Sequence, residues 1–126
     1  MATILVVDDE FGIAELLDAL LTDDGHRVLT AANGREALER MGEARPDLVI
    51  CDLMMPVMDG AALLRALRER MDARQTPFVL MCALPEADVK WRLDGDYQGF
   101  LCKPFRIGDV VRFVDRLLAG RGERTG

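Results

Sequence analysis

Residues 4–9, Ile-Leu-Val-Val-Asp-Asp, and residues 48–52, Leu-Val-Ile-Cys-Asp, decide the fold of this 126-residue chain. Each is an apolar run of four residues, too brief for a helix, that stops at an acid. A strand whose sheet is covered on both faces needs continuous rather than alternating apolar residues, and that is the situation of a parallel sheet wrapped by helices. Beyond the first run, Ile13, Leu16, Leu17, Leu20 and Leu21 recur at helical spacing until Asp23, Asp24 and Gly25 stop them. Arg27 to Ala31 then predicts a second strand, and Asn33-Gly34 opens a short helix with Ala37, Leu38 and Met41 that ends near Gly42, before Pro46. After Asp52, a loop with Pro56 and Asp59-Gly60 leads to a helix carrying Leu63, Leu64, Leu67 and Met71.

Phe78 to Cys82 and Phe100 to Cys102 predict strands four and five. Between them Pro85-Glu86 suits a helix start, although Val89, Trp91 and Leu93 make a poor helical stripe. Val110, Phe113, Val114, Leu117 and Leu118 restore the spacing in a final helix. Five strand-helix units make one α/β domain over residues 1–119, and residues 120–126, without an apolar side chain after Gly120, read as a tail or linker stub.

Half of the residues are hydrophobic and 30% charged, with no apolar run near the roughly 18 residues that span a bilayer. Sixteen basic against 22 acidic residues give a net charge of −6, which argues against a phosphate-backbone binder. The short apolar run near the start ends in acids and lacks a basic flank, so a signal peptide is not expected and a cytoplasmic location is. Three cysteines without a CxxC pair suggest reduced thiols.

Open parallel sheets carry their sites at the carboxyl ends of the strands, beside the point where strand order reverses. The residues there are Asp8 and Asp9 after the first strand, Asp52 after the third, Cys82 after the fourth and Lys103 after the fifth. Singly, an Asp pair reads as a turn or helix cap, and Asp52 or Lys103 as a solvated charge. Together at one sheet edge they read as a site. Three crowded carboxylates raise one another's pKa unless a cation intervenes. Oxygen-only ligands with room for water suit Mg²⁺, and Lys103 adds positive charge for a phosphoryl group.

Three segments carry a family resemblance: Val6-Val7-Asp8-Asp9-Glu10, Asp52-Leu53-Met54-Met55-Pro56-Val57-Met58-Asp59-Gly60 and Lys103-Pro104-Phe105. In this order and spacing they resemble the receiver domain of two-component response regulators, over residues 3 to about 119. The resemblance implies a flavodoxin-like, doubly wound (βα)5 fold, a five-stranded parallel sheet of order 2-1-3-4-5 with helices on both faces. It implies that Asp52 accepts a phosphoryl group from a phosphohistidine on a sensor histidine kinase or histidine phosphotransfer protein. It also implies direct Mg²⁺ (or Mn²⁺) ligation by Asp9, Asp52 and the backbone carbonyl of Met54, with Asp8 reaching the ion through water. Lys103 would pair with the phosphoryl group, and the Lys103–Pro104 bond would be cis.

The resemblance implies a phosphorylation switch rather than an enzyme with a separate substrate, and a monomer or weak dimer is expected. Its signal would reach a downstream protein through the face of the fourth helix, fifth strand and fifth helix, with Val89, Trp91 and Tyr97 exposed. No direct contact with nucleic acid or membrane is expected.

The sequence departs from the family pattern at the end of the fourth strand, where Cys82 replaces the usual Thr or Ser. A thiol is a weak donor and only its neutral form helps a phosphoryl group, so retained chemistry with altered coupling is expected. Phe100 occupies the aromatic switch position without a tyrosine hydroxyl. Met54 and Leu84 stand where the family tunes access of water to the aspartyl phosphate, and two apolar residues predict slow self-dephosphorylation. Strand alternation turns Cys51 and Cys102 away from the site. His26, the only histidine, is expected at the surface.

Two rival functions fit parts of the pattern. A Mg-dependent phosphatase or phosphotransferase with an aspartyl nucleophile would want an acid two residues after Asp52, where Met54 stands. An unphosphorylated docking module fits Cys82 but leaves the full acid set unexplained. Nucleotide binding is disfavoured, because no glycine-rich phosphate loop follows the first strand.

Overall fold

The computed structural model describes residues 2–70, 73 and 75–125, with only the backbone for 121–125. Strands β1 (Thr3–Val7), β2 (Arg27–Ala31), β3 (Leu48–Asp52), β4 (Phe78–Cys82) and β5 (Gly99–Cys102) alternate with helices α1 (Phe11–Asp23), α2 (Gly34–Glu43), α3 (Gly60–Glu69), α4 (Glu86–Val89) and α5 (Ile107–Thr125). All strand pairs are parallel and the order is β2-β1-β3-β4-β5. The chain reverses its direction of travel across the sheet between β1 and β3, the switch point expected from the sequence.

The continuous apolar runs exist because alternate residues serve two cores. Ile4, Val6, Ile50, Val79 and Met81 pack under α1 and α5 against Leu17, Leu21, Val110 and Val114. Leu5, Val7, Val49, Cys51 and Leu80 pack on the opposite face against Ala37, Met41, Leu63, Leu64 and Leu67 of α2 and α3. No helix among the described residues is long and apolar enough to cross a membrane.

Local chemistry fixes the entries to the helices. The Asn33 side chain caps α2 by accepting from the Glu36 N–H, and Asp59 caps α3 by accepting from the Ala62 N–H, both at 2.9 Å. Gly60 has a second duty, since a Cβ there would lie 2.6 Å from the Asp52 carbonyl oxygen. Its lack of a side chain lets α3 start directly against the end of β3, with the Gly60 N–H donating to the Leu53 carbonyl at 3.0 Å.

Several expectations need correction. Leu16 faces solvent, because the buried side of α1 centres on Ala14, Leu17 and Leu21. The fourth helix is a single α turn followed by a 3₁₀ turn over Lys90–Arg92, which explains why no helical stripe was legible. Val89 is buried in the α3-side core, not exposed; Trp91 is exposed, and Tyr97 is partly buried against that core with its hydroxyl donating to Glu86 at 2.6 Å. His26 is not a surface residue: its side chain is 11% exposed. Helix α5 runs on to Thr125, through most of the stretch expected to be a tail. Once nucleated, a helix gains a hydrogen bond per added residue and needs no apolar face to continue. Met71, expected on the α3 stripe, and Gly126 lie outside the described residues.

Candidate functional site

Asp8 follows β1 and Asp52 ends β3, neighbouring strands whose register pairs Val7 with Cys51, so the two acids emerge side by side. Carboxylate oxygens of Asp8, Asp9 and Asp52 lie within 4.8 Å of one another. Asp8 and Asp52 are buried, and Asp9 is exposed. Lys103 enters from the far side. Its N–H donates to the Cys82 carbonyl at 2.8 Å, and its side chain crosses the end of β4 to bring Nζ 3.0 Å from Asp8 Oδ2 and 3.5 Å from Asp52 Oδ2. The Lys103–Pro104 bond is cis.

Each oxygen of Asp8 has a donor, since Oδ1 accepts from the Glu10 N–H at 2.9 Å while Oδ2 holds the ammonium. Asp52 has no comparable set. Burial first, and then the Asp8 carboxylate, push its carboxyl up from 3.8 to about 6 against the opposing pull of Lys103. Burial pulls the Lys103 ammonium down, but the bond to Asp8 and the charges of Asp8, Asp52 and Glu10 outweigh it and leave its pKa raised. With the three acids ionised, one ammonium leaves two negative charges in excess. That excess, and a donor set made only of hard oxygen, fit a small dication.

The remaining expected site residues lie around this cluster in different settings. Met54, just beyond β3, has an exposed side chain whose Sδ accepts from Arg92 at 3.4 Å. Cys82 is fully buried on the α3-side core, with Sγ accepting from the Leu84 N–H at 3.4 Å. Phe100 is partly buried against the same core, and Leu84 is exposed. Cys51 turns into the core and donates its thiol to the Asp52 carbonyl at 3.1 Å; burial raises its pKa well above the ordinary value and keeps the thiol neutral. Cys102 is exposed.

Sequence reasoning assigned no role to two participants. Glu10 comes within 3.7 Å of Lys103, signalled only by its position after the acid pair. Arg92 reaches Asp59 at 3.6 Å as well as Met54, tying the 3₁₀ turn to the loop after β3. Nothing in the local pattern around Arg92 announces that tether, because its partners are more than 30 residues away.

Comparison with known proteins agrees with this geometry. The response regulator receiver domain model matches residues 4–115. The transcriptional regulatory protein AfsQ1 of Streptomyces coelicolor is 37% identical over 125 residues, covering 98% of this chain and 54% of that protein. The chain therefore spans about half the length of this curated relative. Among solved structures, the signal receiver domain of a signal transduction histidine kinase from Syntrophus aciditrophicus superposes with a TM-score of 0.88 at 36% identity, covering 95% of this chain and 92% of that one. The response regulator TrrA of Thermotoga maritima, solved in complex with Mg(2+)-BeF, gives a TM-score of 0.78 at 32% identity, covering 93% and 99%. The acids at the ends of β1 and β3, the lysine after β5, the strand order and these matches converge on one conclusion: the chain belongs to the response regulator receiver domain family, which serves two-component phosphorelay signalling.

Proposed function

We propose that Asp52 is the phosphoacceptor of this chain, receiving a phosphoryl group from a phosphohistidine on a sensor histidine kinase or phosphotransfer protein. One observation carries the reading: a buried carboxylate at a strand end, 3.5 Å from an ammonium and beside two further acids. In the transfer, an Asp52 carboxylate oxygen attacks phosphorus in line with the imidazole nitrogen; the O–P bond forms as the P–N bond breaks, and the electron pair leaves with the imidazole. Lys103 turns from Asp52 to the arriving phosphoryl oxygens and neutralises their charge, while Asp8 holds the ammonium in position at 3.0 Å.

Asp9, Asp52 and the Met54 carbonyl would hold Mg²⁺ directly, with Asp8 through water; TrrA, solved with Mg(2+)-BeF, supports that assignment by likeness. Such an ion supplies electrostatic stabilisation of the phosphoryl oxygens. The chain's own residues supply the nucleophile, the lysine and the shielding of the site by the loops after β3 and β4.

Cys82 would face the phosphoryl group in place of a hydroxyl, and Phe100 would respond from the core. The output partner would dock on α4, β5 and α5, where Trp91 stands 80% exposed. The packed receiver body would end near residue 119, with residues 120–126 leading away from it. Incubation with a small phosphodonor and Mg²⁺, followed by intact-mass measurement, tests the reading. A gain of one phosphoryl group that Asp52→Asn abolishes is expected. Steady turnover of the donor without a stable adduct would instead select the phosphatase reading.

A further inference from the structure

Two cysteines stand side by side where β4 and β5 end. Cys82 and Cys102 are register partners in this parallel pair, and the Lys103 N–H donates to the Cys82 carbonyl at 2.8 Å, so the pairing holds to the last residue of both strands. Leu80 and Phe100, partners two positions earlier, both pack on the α3-side core, and the two-residue period of a strand brings Cys82 and Cys102 onto that same face. Neighbouring strands lie about 4.7–4.9 Å apart. That spacing falls within the Cα separations of about 4.4–6.8 Å that a disulfide spans. Both residues are free thiols in opposite settings, Cys82 fully buried and Cys102 exposed. Their polar contacts are weak: Cys82 Sγ accepts from the Leu84 N–H at 3.4 Å, and Cys102 Sγ donates to the Lys103 carbonyl at 3.9 Å. Both sulfurs therefore lean beyond the strand ends.

We propose that Cys82 and Cys102 form a peroxide-sensitive thiol pair whose oxidation to a disulfide slows phosphoryl transfer at the neighbouring strand ends. Hydrogen peroxide is the oxidant. The Cys102 thiolate attacks one peroxide oxygen, the O–O bond breaks, and the departing hydroxide takes up the thiol's proton and leaves as water, which makes Cys102 a sulfenic acid. The Cys82 sulfur then attacks the Cys102 sulfur; the S–S bond forms as the S–O bond breaks, and the hydroxyl leaves with the Cys82 proton as a second water. Two thiols lose two electrons and two protons, and one peroxide becomes two waters. Burial assigns the roles, since Cys102 meets the oxidant and Cys82 needs to reach its neighbour alone. Cys51 lies in register with Leu80 rather than with Cys82, and burial keeps its thiol neutral and unreactive. The consequence for signalling rests on the reading of Asp52 as phosphoacceptor with Cys82 facing its phosphoryl group. A disulfide sulfur has no S–H to donate, and the bridge would fix the end of β4 to the residue before Lys103. Its exposed half leaves the bond open to thiol reductants, which makes the step reversible.

The test treats the reduced full chain with hydrogen peroxide at low protein concentration and reads intact mass and a non-reducing peptide map. A loss of two hydrogen atoms, mapped to Cys82 joined to Cys102 and reversed by dithiothreitol, is expected. Cys102→Ser should abolish the link and, because that side chain is exposed, fold and take up phosphoryl groups as the reduced parent does. Uptake from a small phosphodonor with Mg²⁺ should be about two- to tenfold slower in the oxidised parent, the scale on which one hydrogen bond acts, and should recover on reduction. Oxygen retained on Cys102, a dimer joined through it, or a bridge to Cys51 overturns the thiol pair. Cross-linked protein that takes up phosphoryl groups at the reduced rate overturns its effect on transfer. If the reduced parent takes up none, the reading of Asp52 fails while the peptide map still decides the disulfide.

Discussion

The strained charge balance at the strand ends has a consequence for stability that is measurable without any phosphodonor. Asp52 carries a carboxyl held at about 6 in the fold against 3.8 in the unfolded chain. Its folded pKa is the higher one, so the folded state keeps the proton longer. The associated stability is present in full below pH 3.8 and is lost as pH rises through about 6. A shift of about two units at 1.36 kcal/mol each makes the loss about 3 kcal/mol by neutral pH. The Asp52 side chain is only 7% exposed, so solvent screening does not reduce this figure much.

Asp52→Asn keeps the shape and removes the charge, while Lys103 retains Asp8 at 3.0 Å. In metal-free buffer at about pH 7.5 the variant should be more stable than the parent by about 2–3 kcal/mol, and the two should converge below about pH 4. Urea unfolding followed by far-UV circular dichroism reads this as a midpoint about 0.7–3 M higher, given slopes of about 1–3 kcal/mol/M. Added Mg²⁺ should stabilise the parent more than the variant and narrow the gap. Parallel pH profiles, or an Asn variant less stable than the parent at neutral pH, would refute the electrostatic reasoning.

Other perturbations test separate parts of the structure. Val57 adopts φ of +67°, a left-handed conformation that costs a β-branched residue about 1–2 kcal/mol, so Val57→Asn should raise stability by about 1 kcal/mol in urea titration; a fall would show that the side chain contributes more than its backbone costs. Gly60→Ala forces a Cβ to 2.6 Å from the Asp52 carbonyl oxygen, and should destabilise by about 1–3 kcal/mol and slow phosphorylation by displacing the end of β3. The aspartyl phosphate should be long-lived in Mg²⁺, because Met54 and Leu84 offer attacking water no polar anchor; decay within seconds contradicts this. Cys82→Thr should strengthen phosphorylation-dependent partner binding, and a variant indistinguishable from the parent in that assay counts against a distinctive role for the thiol.

The layered fold, the strand-end acids and Lys103 were legible along the chain, because these are written in local signals. An apolar run of four followed by acid is a parallel strand reaching the mouth of a sheet, and helical spacing names the faces that cover it. The sequence did not reveal the shape of the fourth helix, since a single α turn and a 3₁₀ turn have too few residues to establish a period. Burial of Val89 and the partial cover of the His26 side chain also depended on what packs against them, and a short sequence window carries no record of those distant partners.

The energetics of the charged clusters came from packing in three dimensions. Lys103 bonds Asp8 across 95 positions of sequence, while burial and the Asp8 charge push the Asp52 carboxyl up to about 6. His26 meets Asp115 only because α5 returns along the sheet to the start of β2. Coulomb interaction and coordination depend on separation in space, whereas the pattern of residues along the chain reports only the elements that bring such groups together.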